Sequence, residues 1–370
     1  MVRQLYDSIV WAPTSTVPTS PAVPPLDDTQ RKARRRANGY LPEFADAVAT
    51  VPWVQHLLET LPALMPVHIE HRVADMVAMI VSQDSSCRYC YGTTRTLLQL
   101  SGMDTRRIRR LEENLHTADL PAQQKAALEY VRKVSRANPR PGNDDAKRLE
   151  EHGWDPKAIA ELAMLASGTV LLNRITIMLA AQPHPYEKFA IGWRSWIMGP
   201  LLRLLIFNRR KRAAPVFFAS EADADDGNFR MVLDSVDGLP GGKVLFDSLK
   251  RCMESDVLPR RTKALVLAVI ARTLQCEACV NEAAKMLERE GFAREETDQV
   301  LDRLASPKLT PVEATMVPLA RNTVRAQPSD IQPRMVQLRE LVAPAQFIEF
   351  IGVAALGNAL SRMTCLLDRC

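Results

Sequence analysis

Apolar positions recur at helical spacing from about Leu41 to Ala181, and Pro62, Pro66, Pro121 and Pro139 divide this stretch into separate helices. The pattern lapses between Pro183 and about Pro240, then resumes to the C-terminus. The two patterned blocks are copies of one unit. An offset of 189 residues (276 − 87) carries Cys87 onto Cys276, Cys90 onto Cys279, Leu98 onto Leu287, Gly102 onto Gly291 and Leu120 onto Leu309. Each Cys pair follows an apolar helix, VADMVAMIVSQ in the first copy and TKALVLAVIAR in the second. Each then opens a helix that ends at a glycine, where Ser101-Gly102 and Glu290-Gly291 predict left-handed C-caps. Near the end of each copy the offset slips by one. IAELAMLASGTVLLNRIT then faces FIEFIGVAALGNALSRMT, pairing Glu161 with Glu349 and Arg174 with Arg362.

The predicted organisation is an N-terminal arm over 1–40, a first repeat over 41–188, a linker over 189–238 and a second repeat over 239–370. The arm is rich in Pro, Ser and Thr and then basic, RKARRR from Arg31 to Arg36, and reads as extended or disordered chain. Within the linker, residues 193–212 (WRSWIMGPLLRLLIFNRRKR) join two tryptophans and an apolar run to a basic tail. A bilayer span needs about 20 mostly apolar residues, and this run is shorter, with Pro200 and Arg203 inside it. Two readings remain: a peripheral membrane contact through an interfacial helix, and a linker helix packed between units or in an oligomer contact.

Composition supports helix over sheet: hydrophobic residues make up 46% of the chain while aromatics make up 6%. A net charge of +5 over 370 residues is no nucleic-acid signature, so no nucleic-acid partner is expected. The opening MVRQLYDSIVWAPTSTVP lacks the continuous apolar stretch of a signal peptide, and a cytoplasmic location is the expectation. Of seven cysteines, four form the two close pairs, whereas Cys252, Cys365 and Cys370 stand apart. In a reducing compartment such pairs read as redox or metal sites rather than structural staples.

Cysteines three apart on a helix share a side, close enough to bridge or to act in turn on one substrate. In Ser85-Ser86-Cys87-Arg88-Tyr89-Cys90, Ser86 is a suitable N-cap, which puts both sulfurs in the first turn. There the helix dipole and free N–H groups favour a thiolate, and Arg88 adds positive charge. The second pair, Cys276 and Cys279, is preceded by Gln275, a poor cap, and contains Glu277, so it is expected to be slow or structural. Two buried, inert cysteines remain the alternative for either pair. Zinc held by all four sulfurs would need the motifs to meet, and no metal is expected. Haem attachment fails because Tyr91, not His, follows Cys90. His56, His68, His116, His152 and His184 show no ligand spacing. No P-loop, GxGxxG or Ser-His-Asp signature can be placed, and no cofactor is expected.

An apolar helix with an acid twelve residues before a CxYC motif, then a helix ending in Gly, resembles the AhpD-like, carboxymuconolactone decarboxylase superfamily. The motif is VADMVAMIVSQDSSCRYCYGTTRTLLQLSG, and the similarity spans about residues 45–185 and 240–370. The resemblance implies an all-α fold of two tandem helical-bundle units, assembly into oligomers and, in the CxxC-bearing branch, thiol peroxidase or disulfide-reductase activity. In that branch a Glu, the two Cys and a His four residues after the second Cys form a proton relay. Here Cys87 and Cys90 match the pair, and Asp75 falls at the Glu. Thr94 stands at the His position in the first copy and Ala283 in the second. A Thr hydroxyl can hydrogen-bond a thiolate but cannot accept a proton near neutral pH. His71, one turn before Asp75, is a candidate substitute base or an ordinary ion-pair partner.

The leading expectation is a thiol-disulfide redox enzyme at Cys87/Cys90 with Asp75 as helper, acting on a small peroxide or disulfide and reduced by an external dithiol. Two alternatives stay open. One is a redox-inert helical scaffold for oligomerisation or membrane-surface association. The other is a lactone or carboxylate enzyme using Asp75 and His71 as acid and base. Duplication within one chain suggests that the units pair about a pseudo-twofold axis in place of a homodimer, with further homo-oligomerisation expected.

Overall fold

A computed structural model of the chain describes residues 19–38, 44–60, 66–183, 229 and 234–369, and every regular element within them is a helix. After α1 (Asp28–Asn38) and the short α2 (Ala45–Val48), seven helices follow: α3 (Pro52–Thr60), α4 (His71–Asp84), α5 (Arg88–Leu100), α6 (Thr105–Glu113), α7 (Ala122–Arg136), α8 (Asn143–Glu151) and α9 (Pro156–Met178). Seven more stand in the same order: α10 (Pro240–Glu254), α11 (Arg260–Thr273), α12 (Glu277–Arg289), α13 (Arg294–Arg303), α14 (Pro311–Thr323), α15 (Pro328–Leu341) and α16 (Pro344–Met363). Gly102 (φ +89°) and Gly291 (φ +87°) take the left-handed conformation directly after α5 and α12. There the amides of Met103 and Phe292 each donate to the carbonyl five residues back, Leu98 and Leu287, at 3.0 Å.

The last helix of each copy is apolar nearly all round, which requires burial on every side. Accordingly α9 and α16 pack on each other at the centre, with Val170, Leu171 and Ile175 meeting a core that includes Phe347, Ile351 and Leu360. Among the described residues, α9 is the one helix long and apolar enough to cross a membrane, and most of it is buried inside the protein. Asp155 starts it, its carboxylate accepting the amides of Lys157 (2.9 Å) and Ala158 (3.0 Å) ahead of the first turn, with Pro156 presetting φ. α3 lies against α10 and α16, so the first copy reaches across to the second. Gly352 permits this approach, because a Cβ there would come within 2.6 Å of Trp53.

Two buried glutamates anchor the segments that lead into the Cys-bearing hairpins. Glu161 of α9 accepts the amides of Val67 (2.7 Å), His68 (2.8 Å) and Ile69 (2.9 Å) just ahead of α4. Glu349 of α16 accepts the amide of Leu258 ahead of α11 and the Trp53 indole N–H at 2.8 Å. It also lies 3.6 Å from the ammonium of Lys263, both side chains being fully buried. Each carboxylate thus satisfies donors that would otherwise be orphaned in the core.

The N-terminal arm departs from expectation. Residues 28–38 are helical, not extended, because Gln30, Arg31, Lys32 and Ala33 are good helix formers and the Asp27 carboxylate caps the Gln30 amide at 2.8 Å. The arm docks on its own repeat. The Thr19 hydroxyl donates to the Met178 carbonyl at 2.6 Å, the Leu26 amide to Asp46 at 2.9 Å, and Arg31 pairs with Asp46. Residues 1–18, the 193–212 segment, His184 and Cys370 lie outside the described residues.

Candidate active site

The turn between α4 and α5 places the first Cys pair. Ser85 caps the C-terminus of α4 and Ser86 follows at φ +53°. The Ser86 amide donates to Gln83 and the Cys87 amide to Ser82, closing α4 with the paired bonds of a Schellman turn. Ser86 is therefore the left-handed residue that ends α4, not the N-cap of α5. That role falls to Cys87, whose sulfur accepts the Cys90 amide at 3.4 Å. The second copy repeats this: Gln275 stands at φ +55°, and the Cys276 sulfur caps α12 by accepting the Cys279 amide at 3.2 Å. The difference expected between Ser86 and Gln275 as caps thus has no place in the structure. The sulfur itself sits where helix N-termini favour an anion.

Both sulfurs of the first pair are buried, Cys87 at 1% exposure and Cys90 at 4%, and both are free thiols. They share one hydroxyl, Thr176 Oγ1, 3.1 Å from Cys87 Sγ and 3.4 Å from Cys90 Sγ. Burial pushes the Cys87 thiol up. Hydrogen bonds from the Cys90 thiol, Thr176 and the Cys90 amide, with the charge of Arg174, outweigh it and bring Cys87 below the ordinary thiol range. Cys90 moves the other way, held well above that range by burial and by its hydrogen bond and charge repulsion with Cys87. The pair is therefore polarised, with Cys87 drawn toward the thiolate and Cys90 held toward the protonated thiol.

Arg174 lies behind this pair on α9, at 2% exposure. It donates to Ser85 Oγ at 3.3 Å and, across the repeats, to the Val324 carbonyl at 2.7 Å. Its Nε–H has no partner. Burial lowers its ionisation to about 10, with the Cys87 charge acting against that drop, so it remains a cation at neutral pH. Over the mouth lies α15 of the second repeat: Pro328 and Gln332 join Arg88, Tyr89 and Thr176 around a cavity of about 10 Å³, the limiting size for one water. Gln332 is held there by donating to the Ile177 carbonyl at 3.1 Å.

The helpers expected from the sequence stand elsewhere. Asp75 is buried on α4, nine residues before the helix end, about 13 Å along the axis from the close of that helix. His71 begins that helix, further away still. Thr94 turns its hydroxyl to the backbone, donating to the carbonyls of Cys90 (3.0 Å) and Tyr91 (3.2 Å). Neither of these bonds goes to a sulfur. Thr176, Arg174 and Gln332 take their place, and the first two carried a signal in the sequence: Arg-x-Thr recurs as Arg174-Ile175-Thr176 and Arg362-Met363-Thr364.

At the second site Cys276 and Cys279 are joined as a disulfide. Thr364 corresponds to Thr176, and Arg140 of the first repeat reaches it, donating to Thr364 Oγ1 and to the Gln275 carbonyl, both at 2.7 Å. Arg362 corresponds to Arg174 and mirrors its cross-repeat bond, donating to the Ser135 carbonyl at 2.9 Å. Its remaining donors go to Asn358 and to the Val324 carbonyl, the latter at 3.0 Å. Among the described residues no three His, Cys, Asp or Glu side chains gather as a metal site.

Residues 243–322, within the second repeat, match the model of the carboxymuconolactone decarboxylase family. Among solved structures, a peroxidase-related protein from Silicibacter sp. TM1040 is similar to 47% of this chain over 93% of its own length, at 23% identity and a TM-score of 0.37. No curated protein matches the chain. The family match lies within the second of the two all-helical repeats.

Proposed function

We propose that this protein is a thiol-disulfide oxidoreductase of the AhpD-like type, with Cys87 as attacking sulfur and Cys90 as resolving sulfur. The carrying observation is the polarisation of the pair: Cys87 caps α5 and is drawn toward the thiolate, while Cys90, beside the same Thr176 hydroxyl, is held as a thiol. With a hydroperoxide, the Cys87 thiolate attacks the outer oxygen and the O–O bond breaks. The leaving oxygen departs as alcohol or water on taking a proton, and Cys87 becomes a sulfenic acid. Cys90 then attacks that sulfur, giving the Cys87–Cys90 disulfide and water. An external dithiol returns two electrons and two protons by exchange. With a disulfide substrate, the same thiolate forms a mixed disulfide that Cys90 resolves. The confined mouth favours small oxidants.

The test is alkylation of reduced protein across pH, read at each cysteine by peptide mass spectrometry, with a peroxide-treated sample alongside. Cys87 should react well below pH 8.5, the ordinary thiol value being about 8.5, and peroxide should link it to Cys90. Slow alkylation at both pairs with no peroxide-dependent link would leave the helical scaffold as the better reading. Full activity of a Cys87→Ser/Cys90→Ser variant on a lactone, lost in Asp75→Asn, would instead establish the carboxylate chemistry.

A further inference from the structure

Arg174 and Arg362 are both almost fully buried, and their hydrogen bonds go to carbonyls, a serine hydroxyl and Asn358, never to a carboxylate. A buried guanidinium without a counter-ion is costly, and such charges are normally paired. For Arg174 the acidic group on which its charge acts is the Cys87 thiol. Its guanidinium bonds Ser85, two residues before Cys87, and its charge acts on the Cys87 sulfur. An Nε–H remains open in the interior. Its counterpart spends its donors differently: Arg362 Nε bonds the Ser135 carbonyl, and the pair that it backs is a disulfide without charge.

We propose that Arg174 is the positioning residue of the Cys87 site, a buried counter-charge for the sulfur held in place from the second repeat by the Val324 carbonyl. The inference deepens the thiol reading of Cys87 and rests on it. It gives the first repeat an electrostatic means of activating the sulfur that needs neither Asp75 nor a base at Thr94. It also makes the first site dependent on the second repeat, whose α14 end supplies the carbonyl and whose α15 supplies the roof.

Among the described residues the charged and titratable groups around Cys87 are few, and Tyr89 of α5 stands with it at the mouth. Cys90 and Arg88 come from α5, and Asp84 ends α4 but is engaged by Arg132 and Arg136 of α7. Arg174 comes from α9, and Arg362 of α16 lies behind it on the same Val324 carbonyl. The α15 residues at the mouth, Pro328 and Gln332, are uncharged.

The experiment is the pH profile of Cys87 alkylation in the full chain carrying Arg174→Gln, which keeps a hydrogen-bond donor and removes the charge, or Arg174→Lys, which keeps a charge. In Arg174→Gln the midpoint should rise by about one pH unit, slowing alkylation at pH 7 about tenfold, and Arg174→Lys should restore at least half of that. Arg362→Gln, an equally buried change, should leave the Cys87 midpoint within about 0.3 of wild type. An unchanged midpoint in folded Arg174→Gln protein, or an equal rise in Arg362→Gln, overturns the proposal.

A second pair of variants leaves Arg174 intact. Cys87→Asp should melt higher than Cys87→Asn at pH 7, and the gap should shrink when Arg174→Gln is added; no gap, or one that persists, overturns the proposal. Peroxide consumption separates the two ideas. A midpoint that depends on Arg174 in a protein inert to peroxide retains the inference and discards the peroxidase reading. A peroxide-reactive Cys87 whose midpoint ignores Arg174 does the reverse.

Discussion

The two Cys pairs share a backbone and differ in their surroundings. In both, a left-handed residue closes the preceding helix, the first sulfur caps the next one and accepts the amide of the second Cys, and an Arg-x-Thr from the last helix stands behind. In the first repeat Thr176 touches both sulfurs, Arg174 bonds beside them and uncharged α15 side chains cover the mouth. In the second, Arg140 occupies the Thr364 hydroxyl, Arg362 is taken up by Asn358 and two carbonyls, Glu277 between the two Cys in sequence is exposed, and the pair is a disulfide. A conserved turn fixes where a sulfur sits, while neighbours from distant helices decide its charge.

Part of the difference has a local origin. After α14, Gln327-Pro328 leads straight into helix, with Pro328 in its first turn, so α15 starts early enough to roof Cys87. After α7, Pro139, Pro141 and Gly142 delay α8 until Asn143, and this non-helical stretch delivers Arg140 to the other site.

The comparison is broken most sharply by removing one sulfur from each site. Cys87→Ser should reduce peroxide or disulfide turnover to background, whereas Cys276→Ser should keep more than about half of it, measured as consumption with an external dithiol; the reverse ranking would make the second pair the working one. Next in size is the anchoring pair. Glu349→Ala should cost about 3–5 kcal/mol because it strands the buried Lys263 ammonium. Glu161→Ala, which strands only amides, should cost about 1–3 kcal/mol, both read by denaturant unfolding. On the two central helices, Gly352→Ala should destabilise by about 1–3 kcal/mol against Trp53. Gly168→Ala, with nothing within 4 Å of its Cβ, should instead stabilise by about 0.5–1 kcal/mol.

The smallest effects concern ionisation. The folded protein lowers Cys87, so the thiolate contributes stability that is fully present above the unfolded thiol range and is lost as pH falls through the lowered folded value. Cys252 runs opposite: burial pushes it up to about 12, so from about pH 9 upward the unfolded chain ionises first and stability falls. Reduced wild type should therefore lose stability relative to Cys87→Ser on acidification below the unfolded thiol range, and Cys252→Ala should blunt the alkaline loss. Thr176→Val should raise the Cys87 alkylation midpoint by at least as much as Arg174→Gln, because its hydroxyl lies 3.1 Å from the sulfur, while Thr364→Val should leave it unchanged.

Much of this was legible in the chain. The 189-residue offset, the helical period and the two glycine stops predict paired all-helical units with a Cys pair at each α4–α5 or α11–α12 turn, because these features depend on local propensity and on repetition. The role of Ser86 was misread because Ser is a good N-cap by type, whereas the Schellman closure of α4 claims that position first. Its spacing from Cys87 singles out Asp75, which stands nine residues before the end of α4 rather than in the turn that carries Cys87.

Repetition and helical period along the chain are enough to show two helical units, each presenting two cysteines at a helix start. Which groups act on those sulfurs depends on how distant helices pack. Thr176 lies 89 residues from Cys87 and Val324 lies 150 from Arg174, and they meet because α9, apolar nearly all round, is buried against α4 and α5 of its own repeat and against α15 and α16 of the other. That packing is a property of several helices together, and no window along the chain contains it.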